Sequence, residues 1–399
     1  MPLLCNLPKD IQLQIQTEYL QGTLATDLCN KYNLQDSPSI LVRRLPPVAL
    51  PEHNCPICGT ELVAPCPTHG RKIDLMSAQC PRCQHSPYAR KCNCPTCQQI
   101  EEADLQCKKD AIAKFCEEDV RVKLDDMTFA NRVFLAAILT YLDDEQLVLR
   151  LPDCLSPQMP LAPRSSSHYT TTIIMTLVDS HILALDASSP VSAFNFDEEG
   201  NILDYKVSDA FYRINVEGFP TNYGACAYPT PSTKTDYEAL LNLIKIIAVE
   251  ECKEYFEVKL KAIHACPETT GIKATEIFAT TVDNLSVSQI YYMIDKETAK
   301  CFHFFVECGY SKKGLYTYIL TRLGKYYDKI ILNNWSVAKY HRDYGCPQSV
   351  LSSIVSNRVA KIGDRSFSES YSQICDIFGV NIEGKEKDEL TTDDSDVHQ

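Results

Sequence analysis

Between residues 55 and 97 the chain carries four pairs of candidate metal ligands, each pair separated by two residues: Cys55-Pro-Ile-Cys58, Cys66-Pro-Thr-His69, Cys80-Pro-Arg-Cys83 and Cys94-Pro-Thr-Cys97. Two ligands spaced in this way reach one ion from a tight turn, and two such turns complete the tetrahedral shell that thiolate and imidazole donors give Zn²⁺. The proline after each leading cysteine fixes the backbone angle and removes an N–H that the turn does not use. Four pairs supply Cys55, Cys58, Cys66, His69, Cys80, Cys83, Cys94 and Cys97 as ligands, hence two ions. Neighbouring pairs can share an ion, and so can the first pair with the third. His85 and Cys92 are further candidates near the second half.

Eight of the 20 cysteines fall in this stretch. Twenty cysteines also suit a disulfide-rich secreted protein, but Met1 to Leu20 lacks the basic start and apolar centre of a signal peptide. No apolar run reaches the roughly 18 residues of a membrane span. A cytoplasmic location is therefore expected, where clustered thiols serve as metal ligands. Four-ligand sites leave no position for a reactive water, so the zinc is expected to be structural.

Cys66-Pro-Thr-His69-Gly70 followed by Cys80-Pro-Arg-Cys83 resembles the zinc fingers of TniQ-type transposition target-selector proteins over about residues 53 to 98. The resemblance implies positioning on DNA or within a DNA-associated assembly.

Either side of the zinc module the chain is expected to be mainly α with a small β component. Residues 1–50 have a helix-turn-helix layout: a helix over Lys9 to Leu20, a break at Gln21-Gly22-Thr23, a second helix through Ala25, Leu28 and Tyr32, and a third segment from Pro38 to Leu45. Arg43 and Arg44 are its candidate phosphate contacts, and packing alone is the competing use of the three helices. Residues 51–99 are the double zinc-binding module, from which Arg82, Arg90 and Lys91 are the candidate direct contacts. Residues 100–217 join a helical connector to a winged-helix-like domain. Residues 100 to 150 carry 12 acidic against 7 basic groups, a net of −5, and Thr128 to Leu142 has an apolar stripe at helical spacing. A hydroxyl-capped helix from Ser165 to Asp179 precedes strands at Ile182–Leu185, Val191–Phe196 and Asn201–Val207. The wing so formed would carry Asp197, Glu198, Glu199 and Asp204, which repel phosphate and suit a protein partner better.

A Pro-, Gly- and Thr-rich loop opens the helical C-terminal domain, 218–380, with helices expected over Asp236–His264, Ser286–Val306, Leu315–Tyr327 and Ser349–Ile362. Residues 381–399 hold 7 acids against 2 lysines and are expected to be a disordered tail. The whole chain has a net charge of −13, which argues against general coating of nucleic acid. Between Tyr310 and Arg365, however, 10 basic groups face 3 acidic ones. Lys312, Lys313, Lys325, Lys339, His341 and Arg342 are candidate phosphate contacts there, with Trp335 and Tyr340 as stacking partners for bases. A bundle with buried tyrosines and solvated lysines accounts for the same composition.

Catalytic signatures are sparse. The chain has no GxxxxGKS, GxGxxG or GxSxG motif. Glu257-Val-Lys259 has the spacing of a nuclease pair but falls within an expected helix, and Asp186 and Asp204 are not securely paired with it. His341-Arg342-Asp343 lacks the remainder of a kinase loop. The expected function is that of a non-enzymatic, zinc-containing, DNA-associated regulator or adaptor, as in a mobile-element or phage-defence system. A protein-interaction scaffold with structural zinc is the competing class, and a nuclease using Glu257 and Lys259 is a third. Nucleic acid or a protein are the expected partners, not a membrane, and a homo-oligomer is compatible with the sequence.

Overall fold

A computed structural model describes residues 2–117, 120–142, 147–164, 167–265, 271–309 and 314–379. It is mainly helical with few strands, and it divides into two compact units, residues 1–110 and 111–399. The expected tail at 381–399, together with Lys312 and Lys313, lies outside the described residues.

The first unit opens with three helices, α1 (Lys9–Leu20), α2 (Ala25–Lys31) and α3 (Pro38–Arg44), at the places their apolar spacing marks. Gly22, at φ 106°, supplies the break after α1. Leu4, Ile15, Tyr19, Leu28, Leu41 and Leu45 close their shared core. Buried Asp36 accepts from the backbone N–H of Leu4 at 2.7 Å and from Arg44 Nη1 at 2.6 Å, tying the N-terminus to the end of α3. An antiparallel hairpin follows, β1 (Val48–Asn54) and β2 (Glu61–Ala64), in the register Val48↔Ala64 to Leu50↔Leu62. On the other edge of β2, Val63 exchanges backbone hydrogen bonds with Gln79 at 2.9 and 2.8 Å. Leu50, Leu62, Ala64 and Ala78 form a second small core under this ladder. The chain leaves the unit within α4 (Pro95–Phe115).

In the second unit α5 (Phe129–Ile138) is buried along almost its whole length and is capped by the Thr128 hydroxyl, which accepts from Asn131 N–H at 3.2 Å. Around it lie β3 (Val148–Arg150), α6 (Leu151–Cys154), α7 (Ser167–Asp179), β4 (Leu183–Leu185), β5 (Phe194–Phe196), β6 (Ile202–Tyr205) and β7 (Phe211–Ile214). One antiparallel sheet has the order β3-β7-β4, and β5-β6 form a separate hairpin. Asp197 holds the hairpin turn by accepting from the N–H groups of Glu199 and Asn201 at 2.9 and 2.8 Å. After α8 (Tyr223–Ala227) comes the 29-residue α9 (Lys234–Ala262), begun by a capping box of Thr233 and Asp236.

The helix α9 serves two cores. Leu240, Leu241, Ile244 and Ile247 pack with α5, whereas Cys252, Tyr255, Phe256 and Leu260 pack with α10 (Ile272–Asn284), α11 (Val287–Glu307) and α12 (Leu315–Asn333). A second capping box, Ser286 with Gln289, starts α11. The chain then returns to the first of these cores through α13 (Val350–Ser353), a π-helical turn over Ile354–Val359 and α15 (Tyr371–Ile377), while Phe367 of the intervening α14 (Arg365–Ser368) packs on the second. No helix among the described residues is long and apolar enough to cross a membrane.

Candidate metal centres

The hairpin of the first unit sets the first centre. The loop joining β1 to β2 is the Cys55–Cys58 turn, and the strand-like residue Gln79 on the far edge of β2 leads directly into Cys80. Cys55, Cys58, Cys80 and Cys83 are thereby brought together, with all four sulfurs within 4.8 Å of one another. Sulfur-sulfur distances are 3.4 Å for Cys58–Cys80, 3.5 Å for Cys55–Cys83 and 3.6 Å for Cys58–Cys83. A disulfide requires about 2.05 Å. Sulfurs about 2.3 Å from a central zinc stand about 3.8 Å apart at tetrahedral angles, so the separations fit a metal shell and not a crosslink.

Both turns of this centre are built alike. The N–H of Cys55 donates to the Thr60 carbonyl and the N–H of Gly59 to the Cys55 carbonyl, each at 2.8 Å. Likewise the N–H of Cys80 donates to the His85 carbonyl at 2.8 Å, and that of Gln84 to the Cys80 carbonyl at 2.9 Å. The residue after the second cysteine is left-handed in each, Gly59 at φ 69° and Gln84 at φ 60°. This conformation turns the chain back around the space between the four sulfurs.

The second centre comprises His85, Cys92, Cys94 and Cys97, again within 4.8 Å. The donor facing the sulfurs is His85 Nδ1, at 3.4 Å from Cys92, 3.7 Å from Cys94 and 3.3 Å from Cys97. His85 thus takes part in both centres: its carbonyl closes the Cys80 turn while its ring faces the other three thiols. Backbone N–H groups point at sulfur as well, from Ser86 to Cys92 at 3.2 Å, from Cys83 to Cys80 at 3.5 Å and from Cys97 to Cys94 at 3.4 Å. Such donors stabilise thiolate and so favour metal ligation.

The electrostatics of the bare thiols have the same pattern in each centre. Hydrogen bonds from Thr60 hold Cys58 down at about 6, while Cys83, although lowered by the backbone at His85, is pushed up to about 12 by burial and its thiol neighbours. In the second centre burial raises Cys92, but the backbone at Ser86 and Cys94 brings it down to about 6. Its neighbours, Cys94 first, push Cys97 up to about 12. Sulfurs crowded in this way cannot all ionise without a cation among them.

The pairing in the first centre is the crossed one, first pair with third. The second centre takes the fourth pair together with His85 and Cys92. Cys66 and His69, expected as a ligand pair, are placed elsewhere. Cys66 is buried in the core of α1–α3, where burial raises its thiol. The His69 ring lies 4.3 Å from that of Tyr19, with Nε2 3.0 Å from the Thr23 carbonyl oxygen. The physical reason is the excursion between β2 and Gln79, which carries these two residues onto the helices before the chain returns to the ladder. The signal for His85 and Cys92 was their position between the third and fourth pairs; neither has a partner at the two-residue spacing.

The candidate nucleic-acid residues are dispersed. Arg43, Arg82 and Arg90 are exposed, Lys91 pairs with Glu101 at 3.2 Å on the surface, and Arg44 is engaged by Asp36. In the second unit Lys325, Lys339 and His341 are exposed, and Trp335 is half-exposed. The Tyr340 hydroxyl donates to Asp295 at 3.0 Å. Arg342 lies over the Phe367 ring and makes a two-pronged pair with buried Glu251 at 3.0 and 3.3 Å, so its guanidinium is part of the interior. Of the candidate nuclease pair, Glu257 is buried on α9 and Lys259 is bound to Asp295 at 2.7 Å. Residues two apart on a helix do not face one another. Asp186 holds the turn after β4 by accepting from the Ser188 N–H at 2.8 Å, while Asp204 lies on β6.

No family model, no curated protein and no solved structure matches this chain.

Proposed function

We propose that the chain is a zinc-containing, non-catalytic adaptor or regulator that associates with DNA through its first unit. The observation that carries the zinc reading is the pair of closed four-donor clusters, one of four cysteines and one of three cysteines with a histidine, whose separations suit a tetrahedral ion. Each cluster supplies all four ligands from protein, so the ions serve to fix backbone rather than to activate water. Support for DNA association comes from α1–α3 at helix-turn-helix spacing and from the exposed Arg43, Arg82 and Arg90 of the same unit. The resemblance of residues 53 to 98 to TniQ-type zinc fingers points the same way through Cys80-Pro-Arg-Cys83, whereas Cys66 and His69, the other half of that motif, stand outside both clusters.

The second unit supports a winged-helix reading by its element order. Helix α5, β3, short α6, α7, β4, an excursion and β7 follow one another, and the strands pair as β3-β7-β4. The excursion carries Asp197, Glu198, Glu199 and Asp204, which suits a protein partner better than a phosphate backbone.

The test is binding of the zinc-loaded chain to duplex DNA across a salt series. Arg43→Ala, Arg82→Ala and Arg90→Ala together should weaken binding and flatten its salt dependence. No affinity at about 50 mM salt, where phosphate contacts are strongest, would refute the DNA reading. A scaffold role is the second reading, favoured by Leu13, Leu20 and Leu24, which are 53%, 50% and 57% exposed on α1 and at the start of α2.

A further inference from the structure

The two metal centres are embedded differently. The first sits at the end of a paired ladder and above a small core of Leu50, Leu62, Ala64 and Ala78. The second has no such support: Cys94 immediately precedes α4, Cys97 is the third residue of that helix, and His85 and Cys92 come from the irregular chain before it.

The start of α4 has the arrangement of a helix cap made of sulfur. Cys94 immediately precedes Pro95, the residue type favoured at the first helical position. Its carbonyl accepts the first helical bond, from the N–H of Gln98 at 3.0 Å. Its sulfur receives the N–H of Cys97 at 3.4 Å, the bond that a Ser or Asp oxygen makes in an ordinary cap. An ion held by Cys94 and Cys97 would therefore pin the cap and the third helical residue to one point. Three thiolates and a dication also leave a net negative charge at the helix start, where the peptide dipoles favour it.

The rest of α4 has little else to hold it. Of its 21 residues only Ile112 is buried. Along the exposed turns the polar contacts are pairs such as Lys108–Asp104 at 2.7 Å and Gln106–Asp110 at 2.8 Å, which support a helix weakly. Such a helix is marginal alone in water.

Resting on the zinc reading above, we infer that the second centre is a metal-dependent switch for α4: loading it with a thiophilic divalent ion makes helical the segment in which the chain passes from the first unit to the second, and losing the ion unwinds it. The first centre acts upstream, because the His85 carbonyl that closes the Cys80 turn holds the same residue whose ring completes the second shell.

The test is amide hydrogen exchange on the full chain, followed by mass spectrometry over residues 98–110, with metal content measured on the same samples. The wild type loaded with Zn²⁺ is compared with His85→Ala and Cys92→Ser, whose substitutions lie outside α4 and leave its sequence intact. Each variant is expected to hold one ion, and its exchange over 98–110 should be at least about tenfold faster than in the wild type, the factor mass action gives when a saturating ligand is lost. Exchange in α9 should not change. If the variants lose one ion but residues 98–110 exchange as slowly as in the wild type, the switch is refuted and the zinc reading stands. Variants that keep two ions overturn the switch by removing these ligands from the centre. A wild type that takes up no Zn²⁺ overturns both.

Discussion

At the scale of the residue, two positions show how the first centre shapes its backbone. Gly59 and Gln84 occupy the same left-handed place in the two turns. Nothing lies within 4 Å of a side chain added at Gly59, so Gly59→Ala should cost only the backbone term, about 1 kcal/mol. Gln84→Gly should shift stability in the opposite sense, since it relieves that term. The urea midpoint of the zinc-loaded chain, followed by circular dichroism, checks both signs. Glu254 on α9 offers a pH-dependent counterpart. Burial raises its carboxyl to about 7, outweighing the Arg164 guanidinium 3.1 Å away. A carboxyl raised in the folded state contributes stability below its unfolded value, near 4.5, and loses it as the pH climbs through about 7. Glu254→Gln should therefore stabilise the second unit by about 1–3 kcal/mol at pH 8 and have little effect at pH 5. Trp335, the single tryptophan, lies in this unit and reports its unfolding.

At the scale of the element, what could be read from the sequence was what local chemistry decides. The three opening helices, α5 within the apolar stripe of Thr128 to Leu142, α11 from Ser286 and the β5–β6 hairpin all lie where spacing and capping residues put them. Helix α10 has no local signature, because Gly271 before it offers no capping side chain and its start adjoins a polar, proline-containing stretch. Strands β3 and β7 are only three and four residues long. Their pairing joins Leu149 to Tyr212, a contact no local pattern announces. The same limit governed the metal ligands. The two-residue spacing marks Cys55, Cys58, Cys80, Cys83, Cys94 and Cys97, but tertiary packing moves Cys66 into the helical core and exposed His69 onto its surface beside Tyr19, and brings in His85 and Cys92.

Arg342 illustrates a charge that composition alone misplaces. Its place between basic and aromatic residues suggests an exposed cation, yet it pairs with Glu251, which also accepts from Ser352 at 2.8 Å. This polar contact lies on α9 where one hydrophobic core gives way to the next. Arg342→Ala would leave a buried carboxylate unpaired and should destabilise the second unit by about 3–5 kcal/mol. Lys339→Ala, at an exposed position, should change stability by less than about 0.5 kcal/mol. Denaturation followed by Trp335 fluorescence separates the two outcomes.

At the scale of the whole molecule, the two units depend on different forces. The second has long helices and two extended apolar cores. The first has a small helical core and a hairpin whose ends converge on cysteines. In so small a unit, ions held at the two clusters would supply much of the folding free energy. A chelator should therefore remove structure from the first unit while leaving the Trp335-reported transition of the second in place.

The most direct test counts bound metal by elemental analysis of the purified full chain and three variants. Two Zn²⁺ ions per chain are expected in the wild type, and still two after Cys66→Ser combined with His69→Ala. Cys97→Ser should hold one, and Cys58→Ser fewer than two. Loss of an ion on replacing Cys66 and His69, or retention of two on replacing Cys58 or Cys97, would contradict the two centres described here.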